Sequence, residues 1–473
     1  MSSIDNAKSA EAPGLRLSFE AGTLVLAGPR AQLDSLTELD GFVWDDRIGA
    51  LRARARAYRT AFAALYRRQS RGEFTLTDDA RGYAELDLHL STQRDPFPHQ
   101  VESMAAWKRA GYCGVVVLPT GAGKSFVAEL AIAELHRSTL IVAPTIDLMN
   151  QWYDLLTATF KRTVGIIGGG YYEVHDLTVT TYDSAFIHME HLGDRFALLI
   201  FDEAHHLPSP SYAQASEMSI APYRLGLTAT PERTDGGHLL LDELVGPIVY
   251  RKRIKELAGL FLAEYQTVRI HVPLSEEDHR TYHQERQVYL SFVRQQGIQM
   301  GSPNGWGEFV MRSSSSSAGR RAFRAYWHQK RIQLAHEGKL EQLEALLKRH
   351  ARDRVLIFTS DNETVYAISR RFFIPSITHK TPTKERKAFL DGFNAGRFPT
   401  LVTSKVLNEG VNIPEANIAI VLSGSGSVRE HVQRLGRILR RQPDKQAILY
   451  ELITADTAEQ YVSDRRREHD AYR

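Results

Sequence analysis

A mixed α/β chain with two parallel-sheet domains, a small helical insertion and an amino-terminal α+β module is the fold class this sequence predicts. Three observations predict it. From Gln93 to about Arg253, short and almost fully apolar runs alternate with helical stretches: Gly114–Leu118, Thr139–Val142, Leu177–Thr180, Ala197–Phe201 and Arg224–Leu227. The same alternation returns after Asp353, at Val355–Phe358, Thr400–Val402, Ile418–Leu422 and Ala447–Leu452. Strands apolar on both faces are what a parallel sheet covered by helices requires. Between these stretches, from about Ser275 to Gly319, the rhythm breaks into polar helical sequence, Glu276 to Gln296. Gly301-Ser302-Pro303-Asn304-Gly305 and the run Ser313 to Ser317 follow. This predicts a helical insertion with a mobile serine-rich tip.

The remaining elements fall around that frame. Leu15–Phe19 and Gly22–Leu26 read as short strands about a turn, followed by an Arg- and Ala-rich amphipathic helix from roughly Asp46 to Arg68 and a strand-like stretch near Ala84–Leu90. A basic aromatic helix, Arg320 to Arg349, leads into the second α/β domain. The expected boundaries are 1–92 for the amino-terminal module, 93–255 for the first domain and 256–473 for the second, with the insertion at about 275–319.

At 473 residues the chain exceeds one ordinary core. Its 43% hydrophobic and 24% charged residues exclude a disordered chain. The net charge of +3, from 59 basic and 56 acidic residues, gives no global polyanion signature, so any such surface must come from local clustering. The single cysteine, Cys113, rules out an internal disulfide framework and fits a reducing compartment. Met1 to Gly14 lacks a basic-then-apolar signal pattern, and no apolar run approaches bilayer length. A cytoplasmic chain without a membrane partner is expected.

Candidate chemistry begins at Leu118-Pro119-Thr120-Gly121-Ala122-Gly123-Lys124-Ser125, between a predicted strand and a predicted helix. Glycines let backbone N–H groups turn toward phosphate oxygens, and a helix amino end adds its dipole. Lys124 would neutralise the outer phosphates and Ser125 would offer a hydroxyl to Mg²⁺. The strict pattern wants Gly where Leu118 stands, so the match is to the Pro-Thr-Gly-x-Gly-Lys-Ser variant. A Gly-rich turn with an exposed lysine would share the composition, but not the strand-to-helix context.

In the same domain Ala197–Phe201 runs into Asp202-Glu203-Ala204-His205-His206. A strand with two carboxylates at its carboxyl end places them where ligands of open α/β sheets bind. Asp202 would hold Mg²⁺ through its water shell and Glu203 would polarise an attacking water. One of the two histidines is expected to couple the site to moving elements, the other to be packed. Far along the second domain, Gln433-Arg434-Leu435-Gly436-Arg437-Ile438-Leu439-Arg440 places Arg437 and Arg440 on one helix face. Guanidinium groups delivered from a second domain stabilise a transferred phosphoryl group only when the domains close. Arg434, on another face, reads as a surface or phosphate-backbone partner.

Together these residues resemble superfamily 2 helicases, and within them the xeroderma pigmentosum group B (XPB) branch in its shorter archaeal-type form. The resemblance runs from about Phe97 to Thr454, with motifs in the family's order. Phe97-Pro98-His99-Gln100 is similar to the adenine-reading glutamine motif, although the family usually has a basic residue where Pro98 sits. Ala143-Pro144-Thr145-Ile146 with Gln151-Trp152, and Val179-Thr180-Thr181-Tyr182-Asp183-Ser184, resemble strand-contacting motifs. Leu227-Thr228-Ala229-Thr230 resembles the coupling motif. Ile357-Phe358-Thr359-Ser360, Ser404-Lys405-Val406-Leu407-Asn408-Glu409-Gly410-Val411-Asn412-Ile413-Pro414 and Ser423-Gly424-Ser425-Gly426-Ser427 complete the set.

The resemblance implies two RecA-like lobes, a thumb-like insertion and a damage-recognition-like amino-terminal module. It implies ATP-dependent, 3′-to-5′ unwinding or translocation on DNA, in excision repair or in opening DNA for transcription, near the nucleoid if the source is prokaryotic. Archaeal relatives work with a nuclease partner. ATP would be held by Gln100, Thr120, Gly121, Ala122, Gly123, Lys124 and Ser125, with Gln433, Arg437 and Arg440 completing the catalytic set. DNA contact or coupling would fall to Thr145, Thr181, His205, Thr228, Thr230, Arg233, Asp235, Thr359 and Ser404. The family's strand-parting Arg-Glu-Asp is Arg233-Thr234-Asp235 in this sequence, which leaves a duplex translocase that does not separate strands, or an ATP-switched clamp, as alternatives to a helicase.

Overall fold

The computed structural model describes residues 14–91, 94–233, 235–259, 261, 264–302, 304–404, 416–423 and 446–467. Two compact units emerge, Met1–Lys252 and Arg253–Arg473.

The first unit holds two sheets. Its amino-terminal sheet has five strands, β1 (Gly14–Glu20), β2 (Thr23–Ala27), β3 (Val43–Asp45), β4 (Ala50–Arg54) and β5 (Thr75–Asp78), in the order β3-β4-β2-β1-β5. The expected long helix from Asp46 is shorter: Ala50–Arg54 is strand β4, and the helix starts at Tyr58. Arg52 shows why. It alternates with buried Leu51 and Ala53 in strand register and reaches back to the Asp45 carboxylate at 2.9 Å, so a period of two, not 3.6, governs this stretch. Near Ala84–Leu90 only Glu85 makes a bridge, to Arg137. Arginines dock this module on the rest of the unit: Arg54 meets Glu217 at 2.6 Å, and Arg59 donates to the carbonyls of Gly111 and Pro222.

The second sheet has eight strands, β6 (Cys113–Val117), β7 (Thr139–Ala143), β8 (Val164–Gly168), β9 (Tyr171–Glu173), β10 (Leu177–Thr181), β11 (Leu198–Asp202), β12 (Tyr223–Thr228) and β13 (Ile248–Arg251). Their order is β13-β6-β12-β11-β7-β10-β8-β9, and each pairing is parallel except that of the β9 edge. The strands β7, β8, β10 and β11 are buried at every position, as a sheet covered on both faces requires. The parallel crossovers leave the carboxyl ends of β6, β11 and β12 side by side, since those strands are neighbours.

The second unit is built on six parallel strands, β14 (Glu264–Val272), β15 (Val355–Phe358), β16 (Ser376–Ile377), β17 (Thr400–Thr403), β18 (Ile418–Val421) and β19 (Gln446–Thr454), in the order β14-β19-β18-β15-β17-β16. A helical cluster precedes β15: Glu276–Gln295, Gly305–Ser314 and Ser317–Ala335 pack around Tyr289, Phe292, Val293, Phe309, Ala322 and Ala325. The serine run is not a loose tip but a tight turn between two helices. Ser313 is buried, Ser316 accepts the Gly319 N–H at 2.9 Å, and a Cβ at Gly319 would lie 2.6 Å from the Ser313 carbonyl. The cluster also continues beyond Gly319 to Ala335, where His336, in extended backbone, ends the basic aromatic helix expected to run to Arg349. Tyr326 packs into the cluster core, while Trp327 is half exposed. Among the described residues no helix is long and apolar enough to cross a membrane.

Candidate active site

The loop after β6 turns on two glycines with left-handed backbone, Gly121 at φ 88° and Gly123 at φ 79°, before the helix Lys124–Leu135. Gly123 is obligatory for a second reason, because a Cβ there would fall 2.3 Å from the Gln100 amide nitrogen. That amide donates to the carbonyls of Ala122 and Gly123 at 3.2 and 3.3 Å, while its oxygen accepts the Phe97 N–H at 2.9 Å. Gln100 is therefore buried as a brace between its own helix and the loop. His99 adds a second brace, Nε2 to the Ala122 carbonyl at 2.9 Å, which sequence reading did not single out. The loop is held in shape from behind and its outer face is left to a ligand.

Opposite stands the end of β11. Asp202 is buried, and burial together with the neighbouring Glu203 carboxylate pushes its pKa up to about 6. Glu203 sits at φ 47°, ψ 54°, a left-handed conformation that costs a residue with a side chain about 1–3 kcal/mol. This turn carries the Glu203 carboxylate to 3.8 Å from Lys124 Nζ, with both side chains mostly buried. The amine and the two carboxylates, 79 residues apart from Lys124 to Glu203 in sequence, thus meet across the parallel crossovers.

Three buried oxygens at this edge make no hydrogen bond: Thr120 Oγ1, Thr230 Oγ1 and Glu203 Oε2, which has His205 Nδ1 at 3.5 Å. Buried polar groups are normally satisfied, so their clustering marks a place completed by something outside the chain. Together with the braced loop, the lysine and the hydroxyl of exposed Ser125, they fit the triphosphate of a nucleotide and a divalent cation held by Ser125 and Asp202.

Four of the residues expected to couple the site to DNA, together with Thr230, form a connected chain. His205, fully buried, bonds Thr228 Oγ1 through Nδ1 at 3.0 Å, and that oxygen accepts the Thr230 N–H at 3.2 Å. Arg233 donates to the His205 carbonyl at 3.0 Å and grips Asp235 with two parallel bonds at 3.0 and 2.6 Å. The arginine holds the Asp235 carboxyl well below its ordinary range. The half-buried His206 ring lies tilted against that of His205, centroids 4.3 Å apart. Thr234 lies outside the described residues.

The hydroxyls expected to grip phosphate are mostly committed elsewhere. Thr145 and Thr181 cap the helices Ile146–Phe160 and Tyr182–Leu192, accepting the N–H of Leu148 and Ser184. What these positions present outward is a helix amino end. In the second unit Thr359 is fully buried and donates to the Asp361 carbonyl at 2.8 Å, so its hydroxyl is a turn former and not a phosphate ligand; Ser404 is also buried. Gln433, Arg437 and Arg440 lie outside the described residues.

Comparison with known proteins follows the same division of the chain. Residues 93–233 match the model for the type III restriction enzyme res subunit, residues 322–470 the ERCC3/RAD25/XPB C-terminal helicase, and residues 17–73 the xeroderma pigmentosum group B helicase damage recognition domain. The DNA 3'-5' translocase XPB2 of Sulfurisphaera tokodaii is 39% identical, over 90% of this chain and 96% of the relative. The DNA 3'-5' helicase XPB of Kineococcus radiotolerans is 30% identical over 82% of this chain and 66% of its own length. The general transcription and DNA repair factor IIH helicase/translocase subunit XPB/SSL2 of Saccharomyces cerevisiae is 26% identical, and this chain covers 44% of it. Among solved structures, the Pyrococcus furiosus Hef helicase domain superposes with a TM-score of 0.50 at 19% identity, over 78% of this chain and 97% of that one. S. cerevisiae Dbp5 bound to RNA and ADP BeF3 gives 0.56 at 14% identity, over 80% and 88%.

Proposed function

Since the chain belongs to the XPB branch of the superfamily 2 helicases and is an ATP-dependent DNA helicase or translocase, we propose that it hydrolyses ATP at the Lys124–Glu203 edge to track along DNA in the 3′-to-5′ direction. The observation that carries this reading is the approach of Lys124 to Glu203 at 3.8 Å beside a braced phosphate loop.

In this reading Gly121, Ala122 and Gly123 present backbone N–H groups to phosphate, Thr120 offers its unpartnered hydroxyl and Lys124 neutralises charge on the outer phosphates. Magnesium, when bound by Ser125 and Asp202, supplies further charge neutralisation there. Glu203 takes the proton of the attacking water on its carboxylate. Arg437 and Arg440, with Gln433, complete the site from the second RecA-like lobe, so hydrolysis is linked to lobe closure. The chain Thr228–His205–Arg233–Asp235 relays the state of that site to the DNA-facing loop. Helix amino ends at Thr145 and Thr181 meet backbone phosphate without reading sequence. Excision repair and a nuclease partner remain parts of the proposal that rest on the family.

A second reading, duplex translocation without strand separation, is favoured by the name of the S. tokodaii relative, a DNA 3'-5' translocase, and by Thr234 in the Arg233–Asp235 loop. Strand displacement and triplex displacement, measured beside ATPase on single-stranded, duplex and forked DNA, separate the two. Triplex displacement without strand displacement selects translocation. A gain of unwinding in Thr234→Glu without a gain of hydrolysis locates the strand-parting element at this loop. Absence of any DNA-stimulated phosphate release refutes both and leaves an ATP-switched clamp.

A further inference from the structure

Helix Ile146–Phe160 carries two contacts of different kinds, two turns apart. At its amino end Thr145 caps the first turn. Two turns on, about 10 Å along the axis, Trp152 is buried and its indole N–H donates to Asp202 Oδ2 at 2.8 Å. The other carboxylate oxygen, Oδ1, accepts the N–H of Glu203 at 3.0 Å, and the Asp202 main-chain carbonyl accepts the Tyr182 hydroxyl at 3.0 Å. Two donors therefore fix the rotation of the Asp202 side chain. One belongs to the next residue and moves with it. The other comes from a separate helix, 50 residues earlier in the chain.

An indole has one donor and no acceptor, and a buried indole can be satisfied by any nearby carbonyl. Here it is aimed at the carboxylate proposed to hold the divalent cation. Groups that orient a metal-holding side chain through a hydrogen bond typically change metal affinity 10–100-fold when removed. We propose that Trp152 is the positioning residue that ties the helix Ile146–Phe160 to Asp202, so that DNA phosphate at the amino end of this helix alters the grip of Asp202 on the cation. The inference rests on the reading of this edge as the nucleotide site and of Thr145 as a DNA-facing helix end.

The test uses the full chain and binding of fluorescent ADP titrated with MgCl₂, with and without single-stranded DNA. Trp152→Phe keeps an apolar ring and removes the donor, and benzothienylalanine at position 152 removes it at nearly constant shape. Both are expected to raise the half-saturating magnesium concentration about tenfold or more, to leave magnesium-free ADP binding unchanged and to abolish the DNA-induced shift seen in the parent. In an Asp202→Asn background the Trp152→Phe change adds nothing further. An unmoved magnesium requirement with benzothienylalanine, or the same increment in the Asp202→Asn background, overturns the proposal in favour of simple packing. A variant that keeps the parent's DNA response overturns the link to the helix. A parent whose ADP binding shows no magnesium dependence overturns the site reading itself, a distinct outcome.

Discussion

The two parallel sheets end differently. In the first unit the carboxyl edge around β6, β11 and β12 leaves Thr120, Glu203 and Thr230 with buried oxygens that make no hydrogen bond and holds Glu203 in a left-handed turn. In the second unit, among the described residues, the hydroxyls at the corresponding edge are bonded within the chain. Thr359 bonds the Asp361 carbonyl, Ser423 Oγ accepts the Ser360 N–H at 2.9 Å and Thr403 donates to the Ile377 carbonyl. Beside them a fully buried Lys339 donates to Glu459 at 2.7 Å and to the Leu422 carbonyl at 2.8 Å. The architecture is common to both, so the difference lies in what each edge is completed by. The first leaves buried oxygens facing the phosphate-loop side, whereas at the second the described threonine and serine hydroxyls and Lys339 are bonded within the chain.

The sharpest way to break this contrast is substitution at each edge. Glu203→Gln should lower DNA-stimulated hydrolysis roughly 10²–10⁴-fold with little change in the unfolding transition, since the amide keeps the shape of the side chain and the contacts it weakens, to Lys124 at 3.8 Å and His205 at 3.5 Å, are long. Lys339→Met should do the reverse. Leaving Glu459 buried and unpaired costs about 3–5 kcal/mol, read by chemical denaturation. If Glu203→Gln unfolds the chain, or Lys339→Met is neutral, the two edges are not distinct in the way described.

Acidity sharpens the contrast further. The Asp202 pKa, raised to about 6 from 3.8, lies above its unfolded value, so the folded chain binds the proton more tightly and this contribution to stability is lost as pH rises from about 4 through about 6. Without nucleotide, the stability of the parent relative to Asp202→Asn should fall across that window with a slope approaching 1.4 kcal/mol per pH unit at most, about one proton's worth. Divalent-dependent nucleotide binding should weaken in the opposite direction, below about pH 6, where the carboxyl is neutral. A flat difference between parent and Asp202→Asn would remove Asp202 from the account. The smallest effect separates two threonines. Thr359→Val should cost about 1 kcal/mol, for a lost hydrogen bond, and Thr230→Val close to nothing, since its hydroxyl bonds nothing to lose.

Much of this was legible in the sequence, and the rest failed for identifiable reasons. Runs apolar on both faces, such as Leu198–Phe201 and Val355–Phe358, announce buried strands because no solvent face survives in a covered parallel sheet. The loop Thr120–Ser125 and the pair Asp202-Glu203 were readable because their geometry is local: a turn that only glycine makes, and a strand that ends in acids. Edge strands escaped. Glu264–Val272 is exposed or half-buried at every position but Val272, and Tyr171–Glu173 is exposed throughout. The Arg52 stretch was taken for helix because an Arg/Ala composition favours one, until cross-strand partners decided otherwise. The serine run between two helices read as a flexible tip because serine composition is shared by loops and by helix caps. Contacts made across the fold, Trp152 with Asp202 and His99 with Ala122, have no local spacing to reveal them. The indole was visible within the Gln151-Trp152 pair, but its partner was not.

The proposal with most at stake is that hydrolysis at the Lys124–Glu203 edge depends on Arg437 and Arg440. The direct measurement is DNA-stimulated ATP hydrolysis alongside equilibrium ATP binding for Arg437→Ala and Arg440→Ala. The account expects hydrolysis to fall roughly 10³-fold or more for at least one of them, while ATP affinity stays within a few-fold of the parent. Hydrolysis at the parent rate in both variants, with the loop and Glu203 intact, would contradict it.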